Sequence, residues 1–145
     1  MKLVFASDIH GSARYARMLP QIDARERPER IVLLGDLLYH GPRNDLPPEY
    51  DPKEVIEVLN GMKERFLCVR GNCDAQVDQM VLDFPILSDS LLLYLSGRAA
   101  FVTHGHLYGM DNPPHLNPGD QLIHRHTHVP ALTPFGSENV NINPP

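Results

Sequence analysis

The sequence reads as an α/β protein whose first half builds a parallel sheet, and three observations carry that reading. Apolar runs recur at Leu3-Val4-Phe5, Ile31-Val32-Leu33-Leu34 and Phe66-Leu67-Cys68-Val69, each of a length suited to a buried strand. Helical spacing or a helix-start signal follows each run, giving the order β-α-β-α-β-α that favours right-handed crossovers. Each run also ends in polar residues (Asp8 and His10, Asp36, Asn72), at the edge where open α/β sheets bind ligands.

The elements follow in order. Residues 2–6 form the first strand, and Ser12 can cap a helix with Tyr15, Met18, Leu19 and Ile22 on its buried side. Pro20 inside that pattern should kink or shorten it. The second strand, 31–34, is apolar throughout, as expected of a strand covered on both faces. After a proline-rich loop, Asp51-Pro52-Lys53-Glu54 opens a helix with Asp as N-cap, and Val55, Val58, Leu59 and Met62 make its stripe. Residues 66–69 are the third strand, after which Asp74 is expected to cap a short helix carrying Val77, Met80, Val81 and Phe84. Residues 91–95 and 99–103 read as strands joined by a tight turn at Ser96-Gly97-Arg98. A long loop leads to a strand at 121–123, and 140–142 is the last one expected.

Composition narrows the function. The 145 residues suit one domain, 1–145, able to bury roughly 68–70% of its unfolded surface. With 42% hydrophobic and 21% charged residues the chain is of ordinary globular character. A net charge of −5 without any basic run argues against binding duplex nucleic acid. Cys68 and Cys73 read as reduced thiols, and with no signal peptide in view a cytoplasmic protein is expected. No apolar run is long enough to cross a membrane, so no membrane partner is expected.

Five strands in succession deliver Asp8 and His10, Asp36, Asn72, His104, and His126 with His128 to one edge. Period-two geometry points Asp8 and His10 the same way. Seven oxygen and nitrogen donors exceed one tetrahedral site and suit two divalent ions if a carboxylate bridges, for which Asp36 is the natural choice. The donor types favour Mn²⁺, Fe, Zn²⁺, Ni²⁺ or Co²⁺. Such a centre keeps excess positive charge, attracts an anion, and with a bridging hydroxide is built for attack at phosphorus.

Asp8-Ile9-His10, Gly35-Asp36, Gly71-Asn72-Cys73-Asp74, Thr103-His104-Gly105-His106 and His126-Thr127-His128 resemble the motifs of the calcineurin-like metallophosphoesterases in order and spacing. The likeness extends to the small bacterial YfcE-type phosphodiesterases and to His40-Gly41-Pro42-Arg43-Asn44 and Val77-Asp78-Gln79-Met80. The resemblance implies a four-layer α/β/β/α sandwich with two mixed sheets. It also implies a dinuclear, often Mn²⁺-dependent, hydrolase acting on small phosphodiesters with good leaving groups. It assigns Asp8, His10 and His128 to one ion, Asn72, His104 and His126 to the other, and Asp36 to both.

Three departures follow. Cys73 stands where many relatives carry a proton-donating His; it is either a weak catalytic acid or a small loop residue. Arg125 stands where the family has Gly before the His-x-His pair, and either distorts that loop or binds phosphate. Relatives continue beyond Asn143-Pro144-Pro145 with further strands, so the second sheet is expected to lack its last strands and leave an open edge. Arg43 is a phosphate candidate, and His106 either meets substrate or supports a ligand. His115 and His124 are expected to face solvent, and Asp74 to be a cap without a catalytic part. The competing function is a metal-free scaffold, a protein-binding subunit on the same fold.

Overall fold

A computed structural model describes residues 1–127, 131–135 and 139–143. The first strand, β1 (Leu3–Ala6), pairs in parallel with β2 (Arg30–Leu33), which pairs in parallel with β3 (Phe66–Cys68). The second sheet holds β4 (Ser90–Leu95), β5 (Arg98–Thr103), β6 (Gln121–Ile123), β7 (Ala131–Phe135) and β8 (Asn139–Asn143) in the order β4-β5-β6-β8-β7. Its pairings are mixed: β4 with β5 and β7 with β8 are antiparallel, the rest parallel.

Alternation along β2 organises both cores. Ile31 and Leu33 point to one face, where they meet Leu19 of α2 (Met18–Glu26) and Val55 and Leu59 of α3 (Pro52–Gly61). Val32 and Leu34 point to the other, against Val69, Ala100, Val102 and Ile123, which seals the two sheets together. All four β2-run residues are fully buried, as the unbroken apolar run requires. The described helices all precede residue 80, and the mixed α/β architecture with two packed sheets is the one expected. Among the described residues no helix is long and apolar enough to cross a membrane.

Local signals fared unevenly. Asp51 caps α3, accepting the Glu54 N–H at 3.2 Å, with Pro52 in the first turn. Ser12 caps α1 (Ala13–Ala16), but that helix ends one turn before Pro20. The reason is steric: Pro20 has no N–H for the Ala16 carbonyl, and its ring crowds that oxygen. The buried face is accordingly Ala13, Ala16 and Leu19, whereas Tyr15 and Met18 are each 46% exposed. The helix after β3 is also shorter than expected. In α4 (Gln76–Gln79) Ala75 takes the cap position, and Asp78 accepts its N–H at 2.8 Å. Val77, Met80 and Val81 face solvent, and Phe84 packs on Phe66. Strand β7 escaped sequence reading because Pro134 breaks its pattern; at the outer edge of the sheet no ladder donor is needed there.

Candidate metal centre

The chain leaves β1 at Ala6, so strand alternation does not aim Asp8 and His10. Left-handed backbone does, with φ of 57° at Asp8, 49° at His10 and 57° at Asp36. Each such non-glycine conformation costs about 1–2 kcal/mol and persists only where neighbours impose it. Here the neighbours are backbone bonds between the two loops. Asp8 N–H donates to Gly35 O at 3.1 Å, His10 N–H to Asp36 O at 2.9 Å, and Gly11 N–H to Leu37 O at 2.9 Å. Gly35 and Gly71 press their backbones together; a Cβ on Gly35 would overlap Gly71, and one on Gly71 would overlap Asp36.

Asp74 is not a helix cap. Its carboxylate is 7% exposed and accepts three backbone N–H groups: Asp36 at 2.8 Å, Leu37 at 2.9 Å and Gly71 at 2.7 Å. Burial raises its pKa above the usual carboxylate value, against the opposing pull of those donors. The residue ties the β2 and β3 loops into one unit, and sequence spacing alone could not distinguish this from capping.

The donor atoms then converge. His10 Nδ1–H donates to Tyr39 O at 2.8 Å and His104 Nδ1–H to Leu34 O at 2.7 Å, which turns each Nε2 inward. His10 Nε2 stands 3.4 Å from Asp8 Oδ1 and 3.6 Å from Asp36 Oδ2. His104 Nε2 stands 3.5 Å from the same Asp36 oxygen, 3.0 Å from Asn72 Oδ1 and 3.1 Å from His126 Nδ1. Asp36 Oδ1 accepts the Cys73 N–H at 2.8 Å, and Ser7 Oγ–H donates to Asp8 Oδ2 at 2.5 Å. The Asp8 hydrogen bond, reinforced by the Tyr39 carbonyl and the Asp36 charge against the opposing effect of burial, pushes the His10 pKa up to about 9.

Arg43, Asn44, Asn72, Cys73 and His126 line a cleft of about 260 Å³ over His10 and Asp36. Desolvation, then the Asp36 carboxylate, push the Cys73 thiol up to about 12. His106 packs edge-on against His104 at 5.4 Å, stands 6.3 Å from the His126 ring, and with His126 lines a second cleft. His128 lies outside the described residues. His115 faces solvent as expected, but His124 is only 4% exposed, because the Gly105 loop closes over it. Arg125 is not among the described residues with left-handed backbone, so its side chain imposes no strain of the kind a glycine would relieve.

Residues 1–144 match the family model described as the calcineurin-like phosphoesterase superfamily domain. The chain belongs to that superfamily. It is 46% identical over 144 residues to phosphodiesterase YfcE of Escherichia coli K12, spanning 99% of this chain and 78% of the relative. The solved structure of the phosphoesterase YfcE from E. coli superposes with a TM-score of 0.94 at 45% identity, covering 99% of this chain and 78% of that one. An archaeal phosphodiesterase structure, at 20% identity, shares the fold with a TM-score of 0.65 over 99% of this chain and 83% of its own.

The superfamily implies divalent metal ions, and the donor set of this phosphoesterase fits them. Nitrogen and oxygen ligands at about 2.0–2.2 Å from one ion stand roughly 3–3.5 Å apart, the spacing found between these atoms. Among the described residues, Asp36 belongs to both clusters of donors compact enough to hold an ion, one with Asp8 and His104 and one with His10 and Cys73. Both inward-facing Nε2 atoms meet acceptors, an arrangement that a cation reconciles.

Proposed function

We propose that this chain is a metal-dependent phosphodiesterase that hydrolyses small phosphodiesters with good leaving groups. The observation that carries the reading is the single Asp36 oxygen shared by His10 Nε2 at 3.6 Å and His104 Nε2 at 3.5 Å. It supports two divalent cations, Mn²⁺ foremost, with Asp8, His10 and His128 serving one and Asn72, His104 and His126 the other. Bound there, the cations supply Lewis acidity toward the phosphoryl oxygens and ease the deprotonation of water.

The chain's own groups do the rest. The Tyr39 and Leu34 carbonyls hold the two imidazoles in the tautomer that presents the Nε2 lone pair to the centre. Asp74 and the Gly35–Gly71 contact hold Asp36 in register between them. Arg43, exposed at the rim of the cleft, offers a guanidinium fork to non-bridging phosphate oxygens. Cys73 lines the same cleft, so at position 73 the leaving group meets a thiol where many relatives place an imidazole. Good leaving groups, which need no proton as the bond breaks, therefore suit this site.

The test is hydrolysis of bis(p-nitrophenyl) phosphate, p-nitrophenyl phosphate and a dialkyl phosphate by Mn²⁺-loaded protein, with metal content measured alongside. The reading expects two ions per chain and fastest turnover of the aryl diester. A folded protein that binds no ions and leaves the aryl diester intact would make the scaffold reading the correct one.

A further inference from the structure

A diester has two organic arms, and the centre has two clefts. The smaller one holds Cys73 and Arg43, and His126 forms a wall common to both. The larger, about 450 Å³, opens between the loop carrying Leu107, Met110, Asp111 and Asn112 and the edge strand β7. That volume falls within the range of small-ligand sites. On β7 the alternation points Ala131 and Thr133 into the cleft, whereas Leu132 is 74% exposed. Gly105 and Gly109 line it without side chains, leaving flat backbone surface, and the His106 ring lines it too.

We infer that this second cleft receives the arm of the diester that is retained on phosphorus, and that it selects a flat, uncharged aromatic or heterocyclic group. The inference deepens the phosphodiesterase reading and rests on it. Placement rests on the shared wall: if the leaving group lies in the cleft that holds Cys73, the neighbouring cleft across His126 is open to the retained arm. Chemistry follows from the lining. Leu107, Met110 and Ala131 supply apolar contact, and the Met110 thioether with the imidazole rings of His106, His124 and His126 favours an aromatic partner. Among the described residues the lining contains Asp111 and no Lys or Arg, which disfavours an arm bearing a second phosphate. A monoester has no arm for this cleft, so the cleft also gives the protein a reason to prefer diesters.

Two esters with one leaving group isolate the effect: phenyl p-nitrophenyl phosphate and methyl p-nitrophenyl phosphate. Mn²⁺-loaded wild type should favour the phenyl ester about tenfold in kcat/KM, mainly through KM, as binding of an unreacting group predicts. Thr133→Trp, on an exposed edge position, fills the cleft and should lower the phenyl-to-methyl ratio about tenfold. Met110→Ala, which removes a wall without adding bulk, should lower it several-fold. Calorimetry provides a readout without turnover: wild type should bind methyl(phenyl)phosphinate more tightly than dimethylphosphinate, and Thr133→Trp should bind the two alike. A ratio unchanged in both variants, with unchanged phosphinate preference, overturns the cleft assignment while leaving the phosphodiesterase reading intact. No hydrolysis of either ester by metal-loaded wild type overturns that reading, and this inference with it.

Discussion

The Asp74 carboxylate accepts the backbone N–H of Asp36 at 2.8 Å, so the residue shared by both donor clusters is held by an acid from the next loop of the sheet. The same oxygen takes the Gly71 N–H, and its twin takes Leu37 N–H. Asp74→Asn exchanges one of these acceptors for a donor facing N–H. Leaving buried donors unsatisfied costs about 1–3 kcal/mol. The variant should melt earlier and bind Mn²⁺ more weakly, with kcat falling more than KM rises. A purely structural part would lower the melting temperature and leave the Mn²⁺ titration of the folded protein unchanged.

Asp36→Asn should be the most damaging single change at the centre. An amide cannot serve as a charged bridge between two cations, so both sites weaken together. Metal analysis should find well under two ions per chain, and hydrolysis should fall to near background. Two retained ions with near-normal turnover would refute the bridging assignment.

Chelation should reverse the pH dependence of stability. In metal-stripped protein the folded-state pKa of His10 lies at about 9, against 6.5 when unperturbed. A raised pKa means stability fully present below the unfolded value and lost as pH rises through the folded one. EDTA-treated wild type should therefore melt lower at about pH 9.5 than at about pH 6, and His10→Gln should show a smaller difference. Mn²⁺-loaded protein should gain from the higher pH, because ligation requires the deprotonated ring. Differential scanning calorimetry of these samples decides it; identical pH slopes in chelated wild type and variant would count against the His10 contacts.

Cys73→His should extend hydrolysis to poorer leaving groups. General acid catalysis supplies about 10²–10⁴-fold, and an imidazole is better matched to neutral pH than a thiol pushed up to about 12 by burial and Asp36. Across aryl and alkyl esters of graded leaving-group pKa, kcat/KM should fall steeply in wild type and gently in the variant. Parallel slopes would show that position 73 does not reach the leaving oxygen.

Arg125→Gly should destabilise modestly and not activate. The backbone at Arg125 is not left-handed, so glycine relieves nothing and only adds freedom to the unfolded chain, at about 0.4–1 kcal/mol. A thermal melt and a Mn²⁺-dependent rate measure both halves of this expectation. An increase in kcat would restore the view that arginine distorts the loop.

Several features were local enough to be legible in the sequence. The buried run Ile31-Val32-Leu33-Leu34, the Asp51-Pro52 helix start and the Ser96-Gly97 turn each depend on residues within one element. The donors at strand ends were legible too, because a parallel sheet places successive carboxyl ends on one edge wherever the loops go. Contacts between loops were not legible. Asp74 looked like a cap because its true partners lie in another loop, at Asp36 and Leu37. His124 looked exposed because the Gly105 loop that covers it comes from a different strand. Asp8 and His10 were expected to converge by strand alternation, yet they converge through left-handed turns that hydrogen bonds to the Gly35–Leu37 backbone hold in place. The sequence by itself determined which polar residues stand at strand ends and where the strands lie, β7 excepted. The tertiary structure decided how those side chains are aimed, because aiming depends on hydrogen bonds between backbones that are distant in the chain, and no local pattern encodes them.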